Sequence, residues 1–524
     1  MIQKSPPCEP HRPTRLIPQV PILSVMTSSY RRLLERLREI HALEKAAELL
    51  EWDQQVVMPR GGGEARMEQY GAIKGAAHER FACDEVGRLI DAAAKSITQD
   101  GDCDEASMLR WARREWGRKR KLPSEMVTQL ARQTSLAQDV WAEARAKNDF
   151  PSFHPALEKV VALKRRQAEA LGPRDDLYDA WLEEFEPGLS TAETSRILAD
   201  LKGGLVPLVK AVAAKRGRVC DAPVRGRFDL ALQRTLSEKI ARAMGFDFER
   251  GRLDLSSHPF TMSCSPGDVR LTTRYHEDHI LGGLFGTMHE TGHGLYEQGV
   301  DDALKGTPLC AGATMAMHES QSRLWENIVG RSRGFWKQWL PPLQELFPQA
   351  AGVSPENFYL AINKSEATFI RVEADELTYS LHILLRFELE RDLLAGRVKV
   401  GELPQVWNER MKNDLGIAPP DDARGVLQDV HWAAGLFGYF PTYALGNAIS
   451  VQLWEAALAE QPGIPRDIEE GRLSPLLLWL KENVHRHGKK YSAQELVRRS
   501  TGRPIEAGPY LRYLAEKYGE IYGL

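Results

Sequence analysis

Residues 284–295 read LFGTMHETGHGL. On a helix, positions i and i+4 project from one face, so His289 and His293 point the same way. Both imidazoles can then reach one Zn²⁺ at about 2.0–2.1 Å. Glu290 stands beside them, where a carboxylate can take a proton from an activated water. Leu284, Phe285, Met288 and Leu295 surround the pattern and predict that the helix is buried. Two histidines and a glutamate are costly in a dry core without a metal or other partners. The competing reading is a hydrogen-bonded helix that carries no metal.

Working outward, residues 252–275 alternate apolar and polar around Ser265-Pro266-Gly267, which predicts a β-hairpin directly ahead of the helix. On the other side, residues 314–329 (TMAMHESQSRLWENIV) form a helical run. A long HExxH variant with a third histidine would need Gly at 296 and His at 299, but the chain has Tyr296 and Gly299. The third ligand must therefore come from elsewhere, and an acidic one is common in HExxH hydrolases. Glu319 lies on the 314–329 run, 26 positions after His293. His318 and Glu319 are adjacent and point about 100° apart, so only one can ligate, and spacing alone favours neither. With Glu319 the set is His₂Glu plus water, an open catalytic site.

Helical periodicity dominates the rest. Leu33, Leu34, Leu37, Ile40, Leu43, Leu49 and Leu50 mark one apolar stripe. Pro123-Ser124-Glu125 opens another helix, and Ser190-Thr191-Ala192-Glu193 reads as a capping-box start. Further helical runs are expected over 355–396, 403–414, 445–460, 474–485 and from Tyr510 to Tyr522. Gly61-Gly62-Gly63 reads as a loop, and His276 and His279 as ordinary loop histidines. The expected fold is mainly α, with a small β-hairpin or short sheet beside the zinc helix.

The 524 residues carry 69 Lys plus Arg against 72 Asp plus Glu, a net charge of −3. This excludes an electrostatic footprint for nucleic acid. The six cysteines (Cys8, Cys83, Cys103, Cys220, Cys264, Cys310) contain no CxxC pair, so neither a disulfide framework nor a cysteine zinc site is expected. A reducing cytoplasm is the expected setting. Residues 1–25 are Pro-rich, lack the apolar core of a signal peptide, and read as a flexible tail or a start placed too early. Residues 26–524 show no dividing linker and read as one catalytic unit. Between Val430 and Trp454 the chain is apolar enough to raise a membrane span. Pro441, Asn447 and Gln452 favour buried helices broken near Pro441 instead.

Six ordered motifs then resemble the M32, or Taq carboxypeptidase, family of metallocarboxypeptidases. They are His258-Pro259-Phe260, DxRxT at 268–272, HExxH at 289–293, HESQSR at 318–323, IRxxAD at 370–375 and GxxQDxHW at 425–432. WDQxxxMP at 52–59 precedes them. The resemblance covers nearly all of 26–524. It implies a zinc-dependent enzyme that removes single C-terminal residues from peptides with broad specificity. It further implies a helical body split by a deep substrate groove, and a homodimer. It carries the metal ligands over to His289, His293 and Glu319, with one Zn²⁺ per chain. The same donors accept other divalent ions such as Co²⁺.

Physical requirements suggest roles for the remaining residues. Glu290 is the expected general base. A free α-carboxylate suits the planar fork of an arginine. Arg371 is the first choice and Arg270 the second, each with a competing reading as a structural ion pair, to Asp375 and Asp268 respectively. The oxyanion needs a donor. His431, Tyr439 and Tyr443 are candidates, with Tyr443 and His431 preferred, and Gln428 and Asp429 in support of the histidine. His258 and Asp268 are candidates for lining the groove. Two other readings stay open. One is an endo-acting oligopeptidase of similar fold. The other is a scaffold with structural zinc, against which Glu290 argues, since a structural site needs no base.

Overall fold

The expected stripe near the start of the chain forms helix α1 (Ser28–Val56), which buries Leu33, Leu37 and Ile40 at helical spacing. The computed structural model describes residues 28–98, 101–172 and 175–524. The expected tail at 1–25 lies outside them. After α1 come α2 (Gly63–Ala82), α3 (Asp84–Ala94), α4 (Asp104–Lys121), α5 (Ser124–Lys147), α6 (Phe150–Leu171), α7 (Asp179–Phe185), α8 (Thr191–Ala214) and α9 (Leu230–Met244). The capping box at Ser190 and Glu193 is present in full. The Gly61–Gly63 stretch is tighter than a loop: Arg60–Gly62 is a 3-10 turn, and Gly63 already begins α2.

Three strands follow: β1 (Gly251–Leu255), β2 (Thr261–Ser265) and β3 (Asp268–Thr273). β2 and β3 are the expected antiparallel hairpin, turning at 266–267. β1 adds parallel to β3 on its other side, so the order is β1-β3-β2. Arg252 and Arg270 are partners across β1 and β3. Their guanidinium carbons lie 5.2 and 4.4 Å from the Trp52 ring, which ties the sheet to α1 by cation–π contact.

The second half holds α10 (Ile280–Gly299), α11 (Met315–Arg323), α12 (Arg333–Leu346), α13 (Pro355–Ile362), α14 (Tyr379–Ala395) and α15 (Leu403–Leu415). It ends with α16 (Pro441–Glu460), α17 (Ile464–Glu469), α18 (Ser474–Asn483), α19 (Ala493–Thr501) and α20 (Gly508–Tyr522). The fold is therefore mainly α with one small three-stranded sheet. A large core runs through α5–α20 and the sheet, and a smaller one joins α1–α4 to Val300, Leu304, Leu309 and Cys310. Among the described residues no helix is long and apolar enough to cross a membrane. Of the apolar 430–454 stretch, residues 430–440 form turns, and only from Pro441, where α16 begins, is it helical.

The expected helical run 355–396 is corrected. It breaks after Ile362, and residues 363–378 are irregular except for a 3-10 turn at Arg371–Glu373. Asn363 Nδ2 donates to the carbonyls of Tyr359 and Arg331, satisfying the end of α13. The Asp375 carboxylate collects the backbone N–H groups of Leu377 and Thr378 ahead of α14. No Pro or Gly marks this break; side-chain hydrogen bonds to the backbone make it, and these compete with helix wherever Asn and Asp find the geometry.

Two glycines set the spacing around α10 and α11. A Cβ on Gly292 would lie 2.7 Å from the Gln321 carbonyl oxygen and from the Ser322 Cα. A Cβ on Gly446 of α16 would lie 2.6 Å from Glu319 Cβ. Both neighbours at Gly292 are backbone, so they cannot rotate away. Gly292→Ala is expected to destabilise the fold by about 1–3 kcal/mol through overpacking, read as a lowered midpoint in denaturant unfolding. An unchanged midpoint would show that the two helices can separate freely.

Candidate metal centre and substrate site

α10 brings His289 and His293 onto one face, and α11 crosses it closely enough for Glu319 to approach both. Glu319 Oε2 is 3.5 Å from His289 Nε2 and 3.6 Å from His293 Nε2. The three donor atoms all lie within 4.8 Å of one another. Ligands at about 2.0–2.1 Å from a tetrahedral ion are separated by about 3.3 Å, so the spacing fits one metal.

The surrounding hydrogen bonds orient both imidazoles for the same purpose. His289 Nδ1 is 2.9 Å from Glu326 Oε2, so Nδ1–H donates there and Nε2 is left with its lone pair. His293 Nδ1 is 3.0 Å from His318 Nδ1, and His318 Nε2 is 2.7 Å from Glu297 Oε1. The consistent arrangement has His293 Nδ1–H donating to His318, and His318 Nε2–H donating to Glu297. This again frees Nε2 of His293 toward Glu319. Such carboxylate and histidine partners fix the tautomer of a ligating imidazole. On the alternative that spacing leaves open, Glu319 turns its carboxylate to the Nε2 atoms of both histidines, and His318 stands behind His293.

Arg323 Nε donates to Glu319 Oε1 at 2.6 Å, and its Nη1 to Glu326 Oε2 at 3.2 Å. Glu326 lies in a π-helical turn, Leu324–Val329, that continues α11. Burial would raise the Glu326 carboxyl, but Arg323 and His289 outweigh it and hold it at about 2. Burial is likewise overcome at Glu297, which His318 and Lys45 hold at about 2. Glu290 goes the other way: burial raises its pKa, with the Thr261 hydroxyl, 2.7 Å from Oε2, opposing. Glu297, Arg323 and Glu326 are additions to the expected set. Glu297 is four residues after His293 and Glu326 seven after Glu319, although their hydrogen-bond partners, His318 and His289, lie on the other helix. In sequence they resemble solvated surface charges.

Arg371, in the 3-10 turn, is 5% exposed. The ion pair with Asp375, the competing reading of this residue, is not formed. Nε and Nη2 instead donate to Asp429 Oδ1 at 3.0 and 2.8 Å, and Nη1 to Tyr379 Oη at 3.0 Å. Arg386 Nε donates to the other Asp429 oxygen at 2.7 Å. Burial opposes ionisation of Asp429, yet the two guanidiniums hold its pKa well below the usual carboxylate range. Two guanidiniums on one carboxylate leave a net positive charge. Three of the five N–H groups of Arg371 are engaged by these acceptors, leaving two. Gln428 supports Arg371 rather than His431: its Oε1 accepts from Arg371 N at 2.8 Å and its Nε2 donates to Phe369 O at 3.0 Å.

Arg371 and the metal donors are linked through side chains. Arg323, bonded to Glu319, lies over the Tyr379 ring at 4.3 Å, and Tyr379 accepts from Arg371. Tyr443 is 5.2 Å from the Arg371 guanidinium and 5.3 Å from the Tyr439 ring. Burial first, and then Glu319 among other charges, pushes the Tyr439 phenol up to about 12. The His431 ring lies 4.5 Å from that of Phe440, tilted by 33°, and its Nδ1 is 3.8 Å from Asp429 without a hydrogen bond. Burial, with Arg371 and Arg386, outweighs Asp429 and lowers its pKa to about 3, so its ring is neutral. His258 is exposed on the loop between β1 and β2. Desolvation and then the charges of Arg371 and His289 lower its pKa. Arg270 and Asp268 pair with each other at 2.8 and 2.9 Å on the sheet, with Arg270 over Trp52.

The chain matches the family model described as Carboxypeptidase Taq (M32) metallopeptidase over residues 32–518. It is 40% identical over 506 residues to a thermostable carboxypeptidase 1 of Thermus thermophilus, covering 95% of this chain and 99% of that protein. It is 38% identical to carboxypeptidase 1 of Bacillus subtilis, covering 94% and 98%. The crystal structure of an M32 carboxypeptidase from Deinococcus radiodurans superposes with a TM-score of 0.91 at 40% identity, covering 95% of this chain and all of that one. With a donor set suited to the divalent metal that such an enzyme requires, the chain belongs to the M32 family of metallocarboxypeptidases, which are peptide hydrolases.

Proposed function

We propose that the protein is a zinc-dependent carboxypeptidase that removes single C-terminal residues of broad identity. The observation that carries this reading is the linkage of a His₂Glu donor set to a guanidinium pair that outnumbers its carboxylate. Three protein ligands belong to catalytic zinc sites, whereas structural sites close with four. His289, His293 and Glu319 hold the ion, and Co²⁺ can replace Zn²⁺ on such donors. A divalent ion there supplies Lewis acidity to the scissile carbonyl and to the attacking water.

Glu290 removes a proton from that water and returns it to the leaving amine. Burial, which raises its pKa, makes it a stronger base, and Thr261 steadies its carboxylate. The two remaining N–H groups of Arg371 bind the terminal carboxylate as a fork. Arg270, whose fork faces Asp268, is the weaker choice. Tyr443, beside Arg371, and the neutral His431 are the donors for the developing oxyanion, with Tyr439 flanking Tyr443. His258 and Asp268 line the approach. Broad specificity is what the family resemblance suggests. A reducing cytoplasm accords with free thiols at Cys83, Cys103, Cys220, Cys264 and Cys310. A homodimer is the assembly that the family resemblance suggests.

An endo-acting oligopeptidase would share the metal chemistry but has no use for Arg371 as a carboxylate receptor. The two readings separate on a peptide with a blocked N-terminus, followed by mass spectrometry with and without chelator. Stepwise loss of C-terminal residues, stopped by chelator, is expected. Internal cuts would support the endopeptidase, and no cleavage a non-catalytic scaffold.

A further inference from the structure

Residues 363–378 carry Arg371, yet beyond one 3-10 turn they form no regular element. A partly buried irregular segment keeps its shape only if its buried backbone groups find partners. Those partners come from three directions. The Asp375 carboxylate closes the segment on itself, accepting from Ser365 Oγ, Glu366 N, Leu377 N, Thr378 N and Thr378 Oγ1. Gln428 holds the middle, at Phe369 and Arg371. The two ends are held by α20. Tyr522 Oη accepts from Ser365 N at 2.9 Å and donates to Ser365 O at 3.2 Å. Tyr510 Oη donates to Glu376 O at 3.0 Å, and Lys517 Nζ donates to the Glu376 carboxylate at 2.6 Å. Tyr510 and Tyr522 are fully buried, and the Lys517 and Glu376 side chains are 8% and 2% exposed.

The two tyrosine contacts are side chain to backbone, at Ser365 and Glu376, which flank Arg371 on either side. They decide where the turn at 371–373 sits, not merely whether α20 adheres. The guanidinium stays tethered to Asp429, so a displaced backbone would tilt its two remaining N–H groups rather than release it. The hydrogen bonds that orient Glu290 and the metal donors are made by Thr261, Glu326, His318 and Arg323, none of which lies in this segment.

We propose that α20 positions the substrate-recognition segment: Tyr522, with Tyr510 and Lys517, fixes residues 363–378 so that Arg371 presents its two free N–H groups to the peptide's terminal carboxylate. This rests on the reading of Arg371 as the carboxylate contact. Tyr522→Phe tests it, because the ring and its stacking on Tyr518 remain and only the hydroxyl is lost. With an N-blocked peptide bearing a free C-terminus, KM is expected to rise about 5- to 50-fold with kcat within about twofold of the parent. Metal content should be unchanged. KM does not depend on the amount of active enzyme, so partial misfolding cannot imitate the result. A purely structural role for α20 would lower apparent kcat and leave KM alone, and that outcome overturns the proposal.

Tyr510→Phe, which frees the Glu376 end, should move KM in the same direction and serves if Tyr522→Phe fails to fold. Glu516→Gln, on the exposed side of α20, should change neither constant. Arg371→Ala in parallel separates the two layers of the argument. If it raises KM while neither tyrosine variant does, the role of α20 is rejected and the reading of Arg371 stands. If Arg371→Ala leaves KM unchanged, the carboxylate reading fails and the proposal falls with it.

Discussion

Glu290→Gln protein is expected to retain its metal and to lose about 10²- to 10⁴-fold in kcat, the range that a positioned general base contributes. Glutamine has the same shape, and its side-chain oxygen can still accept from Thr261, which lies 2.7 Å from Glu290 Oε2. The substitution therefore removes the proton acceptor while leaving packing in place. The imidazole orientations depend on Glu326, His318 and Glu297, none of which is touched. Metal content of the purified variant and its steady-state turnover are the two measurements. Turnover near the parental value in a metal-loaded variant would remove Glu290 from the role of base.

The second large effect is expected at Arg371. Arg371→Ala should lose about 10- to 150-fold in kcat/KM on peptides with a free C-terminus, the equivalent of a charged hydrogen-bonded contact worth about 1.5–3 kcal/mol. Activity on C-terminally amidated peptides should change little, so the preference for the free acid collapses. Removing one partner of a buried ion pair usually endangers folding. Here Asp429 keeps a second guanidinium, because Arg386 donates to its other oxygen at 2.7 Å. An intact preference for the free acid in the folded variant would reject Arg371 as the carboxylate contact and turn attention to Arg270.

Legibility in the sequence divides along a physical line. Features written within one or two helical turns could be read directly. HExxH puts two imidazoles on one face whatever surrounds it, and the stripe from Leu33 onward, the capping box at Ser190 and the turn at 266–267 are equally local. The family resemblance was legible too, since its motifs lie in order along the chain. The break at 363–378 was not, because Asn363 and Asp375 create it through side-chain bonds that hydrophobic periodicity does not register.

The same line separates what could be known of the candidate site. From its residues alone, this chain is a helical HExxH protein with a third ligand at or beside Glu319. Between His318 and Glu319, only the crossing of α10 and α11 shows which side chain turns to the histidines, because that depends on the approach at Gly292. The partner of Arg371 lies 58 residues away at Asp429, not four residues away at Asp375. Arg386, Glu297 and Glu326 acquire their meaning only from neighbours on other elements or other turns. Local spacing determines which face a side chain occupies. What that face meets depends on long-range packing, where burial and the pairing of charge select one partner among many that the sequence leaves equivalent.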